Sequence, residues 1–390
     1  MDQEPSRPDP ARSSNIPNTA GSPLNRSSAD SGARKVSSAL STRANYSIEK
    51  RPTFGQWIKV AWLDLLTLLV VGAFAFPIYL LANPIGIRVF LLDAQQDRNS
   101  STTTSGIPPD LAYPARARMV SNWLIALIAI AFPTVVMVLM QFWVRNFWDL
   151  NNGLLGFGYT LLTSAAFQST VKAFIGGLRP NFYDICQPDS DKARDKGNKT
   201  GLNGIGFRKD IWTKDVCTTT DAAKLRNAMQ GFPSGHSTTM VAAMVYLCLY
   251  LNAKLKVFAN YHTPLWKLIA LTLPILGAVL LCGTLVIDNT HSWYDIVSGA
   301  TIGALISFAS FRMVYPSIFD WRINHIPLNR NTPFDGQSRQ DLVATTRAGW
   351  RSPMMEDDSA SVPEARHDGL EGDHGAGPSN PNRTTMSLQE

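Results

Sequence analysis

The segment 284–295 reads TLVIDNTHSWYD; it closes one apolar run, about 265–287, and precedes another, about 296–315. Each run is close to the ~20 residues that a helix needs to cross ~30 Å of hydrocarbon. The polar letters between them therefore mark a point where a membrane-spanning chain surfaces. Asp288 stands three residues before His291, and Asp295 four after it. On a helical turn this spacing sets one carboxylate a turn before the imidazole and one a turn after. A histidine flanked in this way is held in one tautomer, with a ring nitrogen free to act as a nucleophile. The same polar residues would serve equally well as simple caps on two helix ends. Other segments are needed to decide.

Outward from this point the apolar pattern repeats. Further runs lie at about 57–81, 121–144, 154–177 and 237–252, making six with the two above. The expected fold is all-α: a polytopic membrane protein built as a six-helix bundle over 53–320. Disordered tails are expected at 1–52 and over most of 321–390, where Ser, Pro, Asn and Arg dominate without a hydrophobic period. Asp64 interrupts the first run and is expected to face the bundle or the interface. Six crossings put both tails on one side. Arg43, Lys50, Arg51, Lys59, Arg145, Lys254, Lys256, Arg312 and Arg322 all fall on that side, which reads as cytosolic.

The chain of 390 residues is 45% hydrophobic with a net charge of +6, much of it in the tails and one loop. No basic face interleaved with aromatics is present, so a nucleic-acid partner is not expected, whereas a bilayer is. Two sequons, at Asn99 and Asn198, fall in loops on the non-cytosolic side and are potential glycosylation sites. Cys186 and Cys217 share the long loop 178–232, where an oxidising compartment would permit a disulfide. Cys248 and Cys282 lie in apolar runs and read as packing residues. No zinc-type cysteine spacing occurs.

Two more segments carry chemistry. The third run ends KAFIGGLRP, 172–180; Lys172 and Arg179 are seven apart, two turns on one helical face, with Pro180 ending the helix. Two such cations can grip an oxyanion, or can snorkel to headgroups as ordinary interface residues. The fourth run opens GFPSGHSTT, 231–239. Ser234, Gly235 and His236 at a helix start offer a hydroxyl, a close backbone and an imidazole, in addition to free N–H groups and the positive dipole end. Ser234 or Ser237 would serve as N-cap in either case. All three segments fall at the same, non-cytosolic membrane boundary. Positive charge, a nucleophile and a proton donor are the parts that phosphoryl transfer requires.

Taken in order, Lys172-x6-Arg179-Pro180, then Pro233-Ser234-Gly235-His236, then His291 with Asp295 four residues on, resemble the motifs of the type 2 phosphatidic acid phosphatase family, also called lipid phosphate phosphatases. The resemblance spans about 47–319 and includes the six-run layout. It implies a metal-independent phosphomonoesterase, with no cofactor, acting on lipid phosphates such as phosphatidate. It further implies that His291 attacks phosphorus, that Asp295 orients it and that His236 protonates the leaving lipid alkoxide. Lys172, Arg179, Ser234 and Gly235 would hold the phosphate. One position departs. The family's third motif opens Ser-Arg, and this chain has Thr284 and Leu285 there. Losing one charge-assisted phosphate contact in a dry site costs about 10²–10³ in rate. Gly177 also stands where many members carry an additional Arg, and Lys224 and Arg226 are the nearby cations expected to compensate. A second reading follows from Leu285: a catalytically silent relative that binds phosphorylated lipids or partner proteins. No internal repeat supports a transporter.

Overall fold

The computed structural model describes residues 51–81, 85, 88–92, 107–189, 211–330 and 333–334. The sequons at Asn99 and Asn198, residues 1–50 and residues 335–390 lie outside the described residues. Six long helices dominate: α1 (Phe54–Leu81), α2 (Asn122–Val144), α3 (Phe147–Phe174), α6 (Gly235–Leu255), α7 (Leu265–Ile287) and α8 (Trp293–Val314). Two short helices, α4 (Phe182–Cys186) and α5 (Ala222–Ala228), lie between α3 and α6, and Phe90–Leu91 (β1) pairs antiparallel with Ile211–Trp212 (β2). Five of the long helices are long and apolar enough to cross a bilayer. The chain is a multi-pass membrane protein.

The exception is α3. Its buried face carries Asn152, Thr160, Ser164, Gln168 and Ser169. It tolerates them because α1, α2, α6 and α8 all pack against it, so much of its surface meets protein rather than lipid. It also starts seven residues earlier than the apolar run suggested. Arg145 takes a left-handed conformation at φ 50° to end α2, and Asn146 caps α3 by accepting from Trp148 and Asp149 N–H. Those two residues form the whole connection. Leu69, Phe76, Leu127, Val135, Leu276 and Val279 on α1, α2 and α7 are exposed, as expected of lipid-facing positions.

The closest helix pair is α6 with α8. Gly299, Gly303 and Ser307 are spaced four apart and share one face of α8. A Cβ at Gly299 would lie 2.6 Å from the Ser234 carbonyl oxygen. Ser307 Oγ donates to the Ala242 carbonyl at 2.8 Å, and Ser237 Oγ to that of Ile296 at 2.7 Å. Helices surrounded by lipid gain little from apolar burial against each other, so small residues that admit close backbone contact drive such pairs. The consequence is functional: the start of α6 is pressed onto the start of α8.

At the opposite end of the bundle a buried ion pair joins Lys254 Nζ to Asp149. Tyr250 and Tyr315 hydroxyls each donate to that carboxylate at 3.1 Å, and Gln141 Nε2 does so at 3.1 Å. Lys254 also donates to the His325 carbonyl at 2.9 Å, and Lys256 to Asn324 Oδ1 at 2.8 Å. Counted from sequence among the charges of the cytosolic side, both lysines are buried and fasten the segment after α8 to the bundle. Burial, with Lys254 nearby, pulls Lys256 down to about 7. Asp64 on α1 pairs with Arg330.

Candidate active site

The end of α3 is not the continuous helix that the Lys172–Arg179 spacing suggested. The helix stops at Phe174, and Gly176 takes φ +56°. A Cβ there would lie 2.9 Å from the Met229 carbonyl, so only glycine turns the chain at this point. Gly177 then bridges to Gln230, with its N–H on Met229 O at 3.0 Å, and Gly231 N–H returns to Gly177 O at 2.8 Å. Backbone pairing, not a shared helical face, therefore sets Arg179. Its guanidinium is buried and donates through Nε to the Asn227 carbonyl at 2.7 Å, through Nη2 to Asn227 Oδ1 at 2.8 Å and through Nη1 to the Thr290 carbonyl at 3.2 Å. Every acceptor is neutral, so among the described residues no ion pair compensates the charge, and Asp295 is the one carboxylate that acts on it. Burial lowers Arg179 to about 10, with the Arg118 charge the next cause. Lys172, in the last turn of α3, has no ion pair or hydrogen bond among the described residues.

The third motif also breaks differently from a helical turn. α7 ends at Ile287, Asp288 closes it, and Asn289 takes φ 54°. Thr290 and His291 N–H both return to the Leu285 carbonyl, at 3.1 and 3.2 Å. Ser292 then caps α8 in a capping box whose other member is Asp295: Asp295 Oδ2 accepts from Ser292 N–H at 3.0 Å. The same oxygen lies 3.6 Å from His291 Nδ1, slightly beyond hydrogen-bond length, a distance common in free enzymes. Asp295 is therefore the carboxylate that stands beside the imidazole. Asp288 is not a second one: its Oδ2 accepts from Met119 N–H at 2.9 Å, which turns it away from the imidazole.

His291 is 2% exposed, and neither ring nitrogen has a hydrogen-bond partner among the described residues. Burial drives its pKa well below the ordinary imidazole value, followed by the charges of Arg179, Lys172, His236 and Arg118. Lys172, Arg179 and His236 thus all stand within electrostatic reach of one buried, neutral imidazole. The three motifs meet at one end of the bundle.

Ser234 is fully buried and is the N-cap of α6; its Oγ accepts from Ser237 N–H at 3.4 Å, while its N–H donates to the Asp295 carbonyl at 3.0 Å. Gly235 opens α6 beside α3. A Cβ there would lie 2.8 Å from Gln168 Oε1, the end of an α3 side chain that would have to shift. His236, half-buried on the first turn of α6, makes no hydrogen bond among the described residues. Gln168 and Asn227, which shape the site, carry no motif that a sequence reading could detect. Lys224 does not serve the site; its side chain is 74% exposed and pairs with Asp221 at 3.5 Å. Leu285 is 3% exposed in the apolar core with Met240 and Phe311, so position 285 offers the site only its backbone carbonyl.

A small cap covers this end. Phe90, Phe182, Tyr183, Trp212 and Val216 cluster around a disulfide between Cys186 and Cys217, whose Cα atoms are 4.8 Å apart. Among the described residues no group of three or more His, Cys, Asp or Glu is arranged to hold a metal ion. Lys172, Arg179 and the α6 N-terminus place positive charge at this end of the bundle.

Residues 153–319 match the PAP2 superfamily. A PA-phosphatase related-family protein of Dictyostelium discoideum is 28% identical over 287 residues, 73% of this chain and 77% of its own length. Lipid phosphate phosphatase 1 of Arabidopsis thaliana is 31% identical over 208 residues, 53% of this chain and 58% of its own. Diacylglycerol pyrophosphate phosphatase 1 of Saccharomyces cerevisiae is 30% identical over 171 residues, 44% of this chain and 54% of its own. The chain thus spans little more than half the length of the last two. No solved structure matches it significantly.

Proposed function

We propose, from the match of residues 153–319 to the PAP2 superfamily and from the geometry of the site, that the chain is an integral-membrane lipid phosphate phosphatase. One observation carries the reading: a buried neutral imidazole with both ring nitrogens open lies beside two cations, Lys172 and Arg179, that no carboxylate compensates except Asp295. Such a site is short of negative charge, and a phosphate monoester supplies it.

In the proposed reaction His291 Nε2 attacks phosphorus while the bond to the lipid oxygen breaks. His236 gives its proton to the leaving alkoxide, and Asp295 closes on Nδ1 as the ring becomes cationic. Water then attacks the phosphohistidine with His236 as base, releasing inorganic phosphate and restoring His291. Lys172, Arg179 and the N–H groups opening α6 hold the nonbridging oxygens, so no metal is needed. The site faces the lumen or the exterior, and the tails face the cytosol. The disulfide in the cap over the site supports this orientation, because such bonds persist in oxidising compartments.

Purified chain in mixed micelles should release phosphate from phosphatidate in the presence of EDTA and yield an acid-labile, alkali-stable phosphoenzyme. No release from phosphatidate, lysophosphatidate, diacylglycerol pyrophosphate or a sphingoid-base phosphate would instead leave the second reading, a silent binder of phosphorylated lipids, which the burial of Leu285 in the core favours. The pH profile gives a separate check. His291 resists protonation below the ordinary value of ~6.5, so its nucleophilic form persists as pH falls through that value. The acid limb that it contributes to kcat/KM is expected below pH ~6.5, and a limb at or above that pH would contradict the depressed value.

A further inference from the structure

Leu285, buried in the core, stands where the resemblance places a phosphate-binding Arg, and a cation from a distant part of the chain lies near the site. Residues 113–119, just before α2, run as a strap across the site. Tyr113 N–H donates to the Pro180 carbonyl at 3.0 Å, directly after Arg179. Ala115 N–H donates to Asp184 Oδ2 at 2.8 Å on α4. Asn289 Nδ2 donates to the Pro114 carbonyl at 3.5 Å, and Met119 N–H donates to Asp288 Oδ2 at 2.9 Å, in the turn that carries His291. The strap is thus clipped to both segments that bear the buried charges. Between those clips sits Arg118, half-buried, with its guanidinium held by Asn122 Oδ1 in the first turn of α2. It has no carboxylate partner among the described residues. Its charge acts on Lys172, Arg179, His236 and His291 alike, and no other residue outside the three motifs acts on all four.

Three like charges held this close, those of Lys172, Arg179 and Arg118, repel one another unless an anion sits among them. We propose that Arg118 is a phosphate-binding residue of this site, the third cation on the transferring phosphoryl group, and that Asp288 is a positioning residue that pins the strap delivering it. The proposal rests on the phosphatase reading for its substrate, but its binding half does not. It also explains why Asp288 is buried while making no hydrogen bond to the His291 ring. Neither Lys224 nor Arg226 shares this reach: neither is among the charges acting on the four groups.

The test uses full-length chain in detergent, with inorganic phosphate and phosphatidate as separate probes. Arg118→Ala is expected to weaken competitive inhibition by inorganic phosphate about 10-fold and to lower kcat/KM for phosphatidate about 100-fold. Arg118→Lys should recover part of both, since it restores charge without the fork. The double variant Lys224→Ala, Arg226→Ala should stay within about twofold of the parent. Should the parent chain release no phosphate from any lipid, the phosphatase reading fails, and Arg118 is then judged by thermal stabilisation in added phosphate. A rise in Tm for the parent that is lost in Arg118→Ala and partly kept in Arg118→Lys sustains the proposal. Equal responses of parent and Arg118→Ala, including none in either, overturn it, as does an unchanged phosphate inhibition constant in the active enzyme. If Arg118→Ala does not fold, Arg118→Lys and Arg118→Gln decide: the charged variant must bind phosphate more tightly than the neutral one.

Discussion

Phosphate release from phosphatidate is expected to fall by at least about 10⁴-fold in His291→Ala and by about 10²–10⁴-fold in Asp295→Asn. The two losses have different origins. Alanine removes the atom that bonds to phosphorus, so no phosphoenzyme forms and only bound-state positioning survives. Asparagine keeps the size of the side chain and can still accept from Ser292 N–H at the start of α8, so the capping box holds. What it removes is the negative charge 3.6 Å from Nδ1 that stabilises the imidazole as it becomes cationic. Measured kcat should therefore drop while phosphatidate KM and thermal stability change little. Wild-type rates in Asp295→Asn would show that the carboxylate only caps the helix. Equal, undiminished release in His291→Ala would remove the phosphohistidine route altogether.

The largest structural effect is expected at the far end of the bundle. Asp149→Ala should destabilise the folded chain by about 3–5 kcal/mol, because it leaves Lys254 charged and buried without its partner. It also strips the acceptor from the Tyr250 and Tyr315 hydroxyls. The paired replacement Asp149→Leu with Lys254→Met should cost clearly less than either single change, since it removes both charges together. Thermal unfolding in detergent reads the comparison. A double variant as unstable as the sum of the singles would mean that the pair contributes by packing and not by charge compensation.

Hydropathy alone places the long helices, and it does so for a physical reason: a bilayer accepts only backbone whose hydrogen bonds are closed within a helix or barrel. Motif order likewise marks the candidate residues, since His236, His291, Lys172 and Arg179 stand out by residue type and by position at helix ends. Spacing misled wherever the chain leaves the helix. Lys172 and Arg179 were expected two turns apart on one face, but Gly176 ends that geometry after Phe174. Asp288 and Asp295 were expected to flank His291 alike; a left-handed Asn289 separates their tasks. Turns of this kind are set by backbone partners far along the chain, which no local pattern records.

The bundle and its reactive side chains thus follow from residue type, because transfer of apolar side chains into lipid is a local, additive preference. Which cations reach the phosphate is a tertiary outcome. Arg118 carries no motif, and it comes near His291 only because Pro180, Asp184, Asp288 and Asn289 each bond to its strap. Lys254 and Lys256 stand in the sequence as charges beside a short connection and prove buried, because the polypeptide after α8 folds back and supplies acceptors. In both cases the deciding interactions join residues tens to more than a hundred positions apart, and only the closed fold brings them within bonding distance.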